Sequence, residues 1–138
     1  MKARKSWADR VRSARPHQVK PAPMDIAGMR AGQIMLVPSP RIIDEMIRAI
    51  PAGDSVDART LRQRLARKYR AEVCCPITTG ILLRMVAEAA YEAHRQGAAL
   101  GEITPFWRVL DGAAPAAKKL ACGAGFISRQ RKREGLAP

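Results

Sequence analysis

The chain has 138 residues, 47% of them hydrophobic but only 4% aromatic, and carries 25 Lys plus Arg against 12 Asp plus Glu for a formal net charge of +13. That length fits one domain, that apolar share excludes a disordered chain, and no apolar run reaches the ~18 residues of a membrane span. The three cysteines, Cys74, Cys75 and Cys122, provide neither a disulfide framework nor the ligand spacing of a zinc site, so no metal or cofactor is expected and a reducing, cytoplasmic setting is.

Residues 1–31 read as a basic, proline-containing arm. Lys2, Arg4, Lys5, Arg10, Arg12, Arg15 and Lys20 are opposed before position 21 by Asp9 alone, and Pro16, Pro21 and Pro23 interrupt any long helix. A short helix over 5–14 is allowed. The N-terminus has a basic start with no apolar stretch after it, which is not the pattern of a secretory signal. The arm is expected to settle on a phosphate backbone or on the body, with Trp7 packing on the body.

The body is expected over 32–138. Gln33–Val37 is a short apolar run closed by Pro38, read as an edge strand. Ser39-Pro40 is an N-cap with proline at the first helical position, and Ile42, Ile43, Met46, Ile47 and Ile50 then recur at helical spacing until Pro51-Ala52-Gly53. Asp54 to Asp57 supply the next cap, before a helix whose seam is Leu61, Leu65 and Tyr69. Arg59, Arg62, Arg64, Arg67, Lys68 and Arg70 surround that seam. One narrow apolar seam with arginine elsewhere suits a phosphate track, the plainer reading being a solvated face.

Residues 70–76 form a linker with room for a short extended piece, and Pro76 opens the longest helical pattern, 77–95. Ile77, Ile81, Leu82, Met85, Val86, Ala89, Ala90 and Ala93 line one side of it. Helix, tight connection and longer helix outline a helix-turn-helix, with 77–95 as the recognition element. Its first turn holds Thr78, Thr79 and Gly80. Hydroxyls and free N–H groups at a helix start hold phosphate. Gly80 inside a helix costs roughly 1 kcal/mol against Ala, which either close DNA approach or helix–helix packing would explain. Residues 103–112 read as a loop leading into a short strand and turn, 115–122 as an irregular connection, and the end as a short helix to Glu134 capped by Gly135.

Pro105-Phe106-Trp107-Arg108-Val109, a basic stretch and then Glu134-Gly135-Leu136 resemble the C-terminal half of the alkylguanine-DNA alkyltransferases, where Pro-Cys-His-Arg-Val precedes a glycine-containing turn and a later helix ends in Glu-Gly. The likeness spans roughly residues 35–136. It implies a mainly α fold with a small β element, a winged helix-turn-helix DNA-binding domain of the alkyltransferase type.

The departures bear on activity. Phe106 stands where the resemblance places the acceptor cysteine and Trp107 where it places the activating histidine. Neither side chain accepts an alkyl group or a proton. Glu134 matches the glutamate that orients that histidine and has none to orient. The family's arginine finger falls near Ile77 and its phosphate-rotating tyrosine near Ala58.

The pattern is similar to the alkyltransferase-like branch, which binds alkylated DNA without repairing it. The chain is therefore expected to be a non-catalytic monomer that binds double-stranded DNA. Arg59, Arg62, Arg67 and Lys68 would contact phosphate, with Ile77, Thr78, Thr79, Gly80 and Arg84 at the groove and Arg108 near a former pocket of Pro105, Phe106, Trp107, Val109 and Glu134. Phe106 and Trp107 either stack on an extruded base or fill a dead pocket. The alternatives are a regulator or nucleoid-type protein on the same scaffold, an alkyl acceptor using the displaced Cys75, and an interaction module whose arm binds RNA or an acidic protein.

Overall fold

A computed structural model describes residues 5–138, so Lys2 and Arg4 lie outside the described residues. Among those residues the elements are α1 (Trp7–Ser13), β1 (Gln18–Pro21), β2 (Ile34–Val37), α2 (Pro40–Arg48), α3 (Ala58–Lys68), β3 (Val73–Cys74), α4 (Pro76–Arg95) and α5 (Gly123–Arg133). Two 3-10 turns, Phe106–Arg108 and Pro115–Lys119, separate α4 from α5. The fold is mainly helical with one small sheet, and no helix is long and apolar enough to cross a membrane.

The helix starts follow their caps. Ser39 Oγ accepts the N–H of Ile42 ahead of Pro40, and Asp57 accepts that of Thr60. The Thr60 N–H holds the Asp57 carboxyl below its ordinary range. α5 ends in a Schellman motif: Leu136 N–H donates to Arg131 O, Gly135 N–H donates to Lys132 O, and Gly135 takes the left-handed φ of +77°. α3 ends the same way without a glycine. There Ala71 N–H reaches Ala66 O and Arg70 N–H reaches Arg67 O, with Arg70 at φ +57°. A side chain in that region is strained by about 1 kcal/mol, so Arg70→Gly is expected to raise stability by about that amount, read as an increased midpoint in urea at unchanged slope.

The sheet order is β1-β2-β3. β1 and β2 are antiparallel, with Gln18 opposite Val37 and Pro21 opposite Ile34, while β2 and β3 are parallel, with Leu36 opposite Cys74. β2 is therefore central, not the edge strand that its sequence implies. Its outer partner comes from the basic N-terminal segment. That segment lies on the body: Trp7 and Ala8 N–H groups donate to Glu92 Oε2 and Oε1 at 3.1 and 3.2 Å, docking α1 on α4. A boundary near residue 31 thus cuts through the connection of a hydrogen-bonded strand pair.

α4 runs between two cores. One joins Leu36, Ile43, Ile47, Leu61 and Leu65 to Leu82, Leu83 and Val86 of α4. The other joins Ala87 and Ala90 to Ile103, Phe106, Trp107, Leu110, Phe126 and Ile127. Burial on both sides turns the buried arc of α4 by roughly a quarter of the helix from the expected stripe. Thr79, Leu82, Leu83, Val86, Ala87 and Ala90 are inside, while Ile77 and Ile81 are exposed.

The short strand expected over 103–112 is replaced by a 3-10 turn, in which Val109 and Leu110 N–H groups both donate to Phe106 O. Strand alternation would send Phe106 and Trp107 to opposite faces. The turn buries both.

Candidate nucleic-acid interface

Between Ala58 and Ala87 the only acid is Glu72, against Arg59, Arg62, Arg64, Arg67, Lys68, Arg70 and Arg84. Glu72 accepts the N–H of Ile34 at 2.9 Å. α3 buries Leu61, Leu65 and Ala66, which leaves Arg59, Arg64, Arg67 and Lys68 exposed and Arg62 half-buried. Burial pushes the Cys74 thiol up, and the Thr79 hydrogen bond and the Arg62 charge offset part of that.

The outer face of the first turns of α4 is Ile77, Gly80, Ile81 and Arg84, spaced i, i+3, i+4 and i+7 and all exposed. Ile77 is 48% and Ile81 61% exposed. A Cβ added at Gly80 would meet nothing within 4 Å, so the helix-packing explanation of this glycine fails. Thr78 is half-buried with its hydroxyl on Cys75 Sγ at 3.4 Å.

Thr79 is not at the surface. It is fully buried, and its hydroxyl donates to Cys75 O at 2.7 Å, as a side chain in the core must to satisfy itself. Arg84 stays exposed, with its guanidinium 5.8 Å from the Trp7 ring centre and 4.0 Å from Glu88. Beyond Arg84 the same face is closed: α1 docks on Glu92, and Glu88 accepts the Ala121 N–H.

The proposed former pocket is brought together only in part. Glu134 does have partners. It accepts Trp107 Nε1–H at 2.8 Å and Arg108 Nε–H and Nη2–H at 2.8 and 3.0 Å. Burial alone would raise its carboxyl, but these hydrogen bonds and the Arg108 charge hold it below the ordinary glutamate range. Arg108 also donates to Ile50 O, so it ties the segment that follows α2 to the end of α5 and is not free for a groove.

Phe106 and Trp107 are 1% and 3% exposed and pack with Phe126, while Val109 joins the other core. Neither ring is available to stack on an extruded base. A pocket of about 350 Å3 does open beside them, lined by Arg48, Leu100, Pro105, Trp107, Arg133 and Glu134 among others.

The thiols show no nucleophile geometry. Cys74 pairs with Thr79, Cys75 accepts from Thr78, and Cys122 donates to Gly123 O. Burial, then the Glu88 charge, pushes the Cys122 thiol up to about 11. His94 is bonded to Ala98 O and His17 packs at a tilt against Tyr69, so neither serves a thiol.

A larger groove of about 960 Å3 runs between α1, α2 and the C-terminal half of α4. Its floor, Val86, Ala89, Ala90 and Ala93, lies on the face of α4 opposite Ile77, Ile81 and Arg84. Its rim mixes Arg12, Arg41 and Arg48 with Asp44, Glu45 and Glu102, so it offers no single sign to a polyanion.

No family model, curated protein or solved structure matches the chain.

Proposed function

We propose that this protein binds duplex DNA without catalysis, on a winged-helix-type scaffold that resembles the alkyltransferases in motif order. α4 presents its first turns to the major groove, and the arginines of α3 hold the adjoining phosphates. Gly80 carries the reading. It sits on an open helix face between exposed Ile77 and Ile81, where alanine would be better for folding and none of the described residues needs the space. A glycine there serves close approach by something outside the chain. The chain between Ala58 and Ala87 carries seven cations against Glu72 alone, a balance that favours a polyanion.

Preference for an altered base is not carried by Phe106 and Trp107 stacking, because both rings are packed in the core. Transfer of an alkyl group to Cys75 is equally unsupported, since that thiol is buried and no histidine reaches it.

Gly80→Ala tests the reading through two signs at once. It is expected to raise folding stability by about 1 kcal/mol, the helix-propensity gain. It is expected to weaken duplex affinity by about 10-fold, as a methyl group forces the helix back from the groove. The measurement is a titration at fixed salt against paired duplexes, one with a single alkylated guanine and one unmodified. A more stable variant with unchanged affinity removes α4 from the interface.

A further inference from the structure

The exposed large apolar side chains of the described residues are Val19, Met24, Ile26, Ile34, Ile77 and Ile81. Two stand on the first turns of α4, and the other four belong to β1, β2 and the connection between them. One small cluster joins these pieces. Ala22 and Met29 of the connection fold over Met35 and over Cys75, the residue that immediately precedes α4.

The 22–33 connection is a built element. Ile26 and Met29 exchange N–H···O bonds of 3.0 and 2.8 Å across a turn whose centre, Ala27 and Gly28, has φ of +53° and +82°. Two positive φ values in succession make the tight hairpin turn favoured by strand twist. Around it, Ala22 N–H donates to Gln33 O, Arg30 N–H to Gln33 Oε1 and Ala31 N–H to Asp25 Oδ1, at 2.7 to 2.8 Å. Met24 and Ile26 project from this frame 56% and 42% exposed, with Arg30 also in solvent.

We infer that residues 22–33 form a wing that enters the minor groove beside the major groove occupied by α4, with Met24 and Ile26 as apolar wedges and Arg30 on the phosphate rim. The inference rests on the duplex-binding reading above. Methionine and isoleucine are side chains that minor-groove proteins insert at base steps, and flanking cations supply attraction to the backbone. A second copy of the chain is a poorer occupant, because the net charge of +13 repels a like molecule, while the two acids beside the patch, Asp25 and Glu72, are engaged by the Ala31 and Ile34 N–H groups.

The test compares wild type, Met24→Ser/Ile26→Ser and Gly80→Ala for affinity and end-to-end bending of a mixed-sequence duplex. Netropsin serves as a minor-groove competitor, and sedimentation velocity reads the assembly state. The double variant is expected to bind about 10-fold more weakly and to bend DNA less. Netropsin is expected to displace wild type but to leave the residual binding of the double variant unchanged. Equal affinity and bending for the double variant, with Gly80→Ala still weakened, overturns the wing and leaves the α4 reading standing. Wild type that binds no duplex overturns both. A wild-type dimer that the double variant dissolves assigns the patch to self-association and also overturns the wing. Arg30→Ala, at an exposed residue, reads the same site if the double variant does not fold, and an unchanged salt slope for it counts against the wing.

Discussion

Replacing Glu134 with alanine is expected to destabilise the fold by about 3 kcal/mol, lowering the thermal midpoint by about 10 °C. The Glu134 carboxylate is the shared acceptor for Trp107 Nε1–H and two Arg108 N–H groups. The side chains of Arg108 and Glu134 are only 16% and 15% exposed. Without the carboxylate, a largely buried guanidinium keeps one neutral acceptor, Ile50 O, and the indole N–H has none. The loss is set at the low end for a broken buried pair because some solvent reaches both groups.

Glu134→Gln keeps an acceptor oxygen for the indole and removes the charge, so about half of the loss is expected. The pH dependence has a definite sign. The folded carboxyl lies below its ordinary value of 4.5, so its contribution is complete above that pH and disappears as pH falls through the folded value. The stability gap between wild type and Glu134→Gln is therefore expected to be constant at neutral pH and to narrow only below about 4.5. Chemical denaturation across that range reads it. Duplex affinity of folded Glu134→Ala is expected to match wild type, because Arg108 and Trp107 face the protein. A stable variant that loses DNA would move the interface to the pocket of Trp107.

Local chemistry made much of the fold legible. Ser39-Pro40, Asp57 and Gly135 mark helix ends through hydrogen bonds made within a few residues, and the sequence displays them directly. What escaped depends on distant partners. β2 reads as an edge strand because its outer neighbour β1 ends at Pro21, in a stretch whose prolines and cations look like an arm. Proline is tolerated there because β1 is itself the edge.

The proposed interface was legible in composition but not in orientation. α3 shows its arginines by lacking any acid, and the structure leaves most of them in solvent. On α4, Ile77 and Ile81 look like core, and Thr79 looks like surface. Which arc is buried depends on the second core around Phe106 and Phe126, which approaches from the far end of the chain. Gly80 was the local signal for the open face, and it flanked the misread Ile81. The Trp107–Glu134 bond spans 27 positions; the motif resemblance pairs these two positions, but the loss of the histidine hid that an indole N–H would take the same carboxylate.

The largest binding effect is expected from Arg59→Ala/Arg62→Ala/Arg67→Ala, and its salt dependence separates phosphate contact from any other role. None of these three makes an ion pair with a described residue, and α3 buries only Leu61, Leu65 and Ala66, so removing the charges leaves the core intact. Arg and Ala are both good helix formers, so the helix is expected to persist. If each arginine neutralises one phosphate, the triple variant releases about three fewer counterions, and its log–log salt slope is shallower by about 2.7. A defect of about 100-fold at 50 mM salt would then contract about 40-fold by 200 mM, leaving the two proteins within a few-fold of one another. A defect of the same size at both salts would mean that the arginines shape the fold or read bases. No defect at either salt would make the basic face of α3 a solvated surface and leave the duplex to α4 and whatever flanks it.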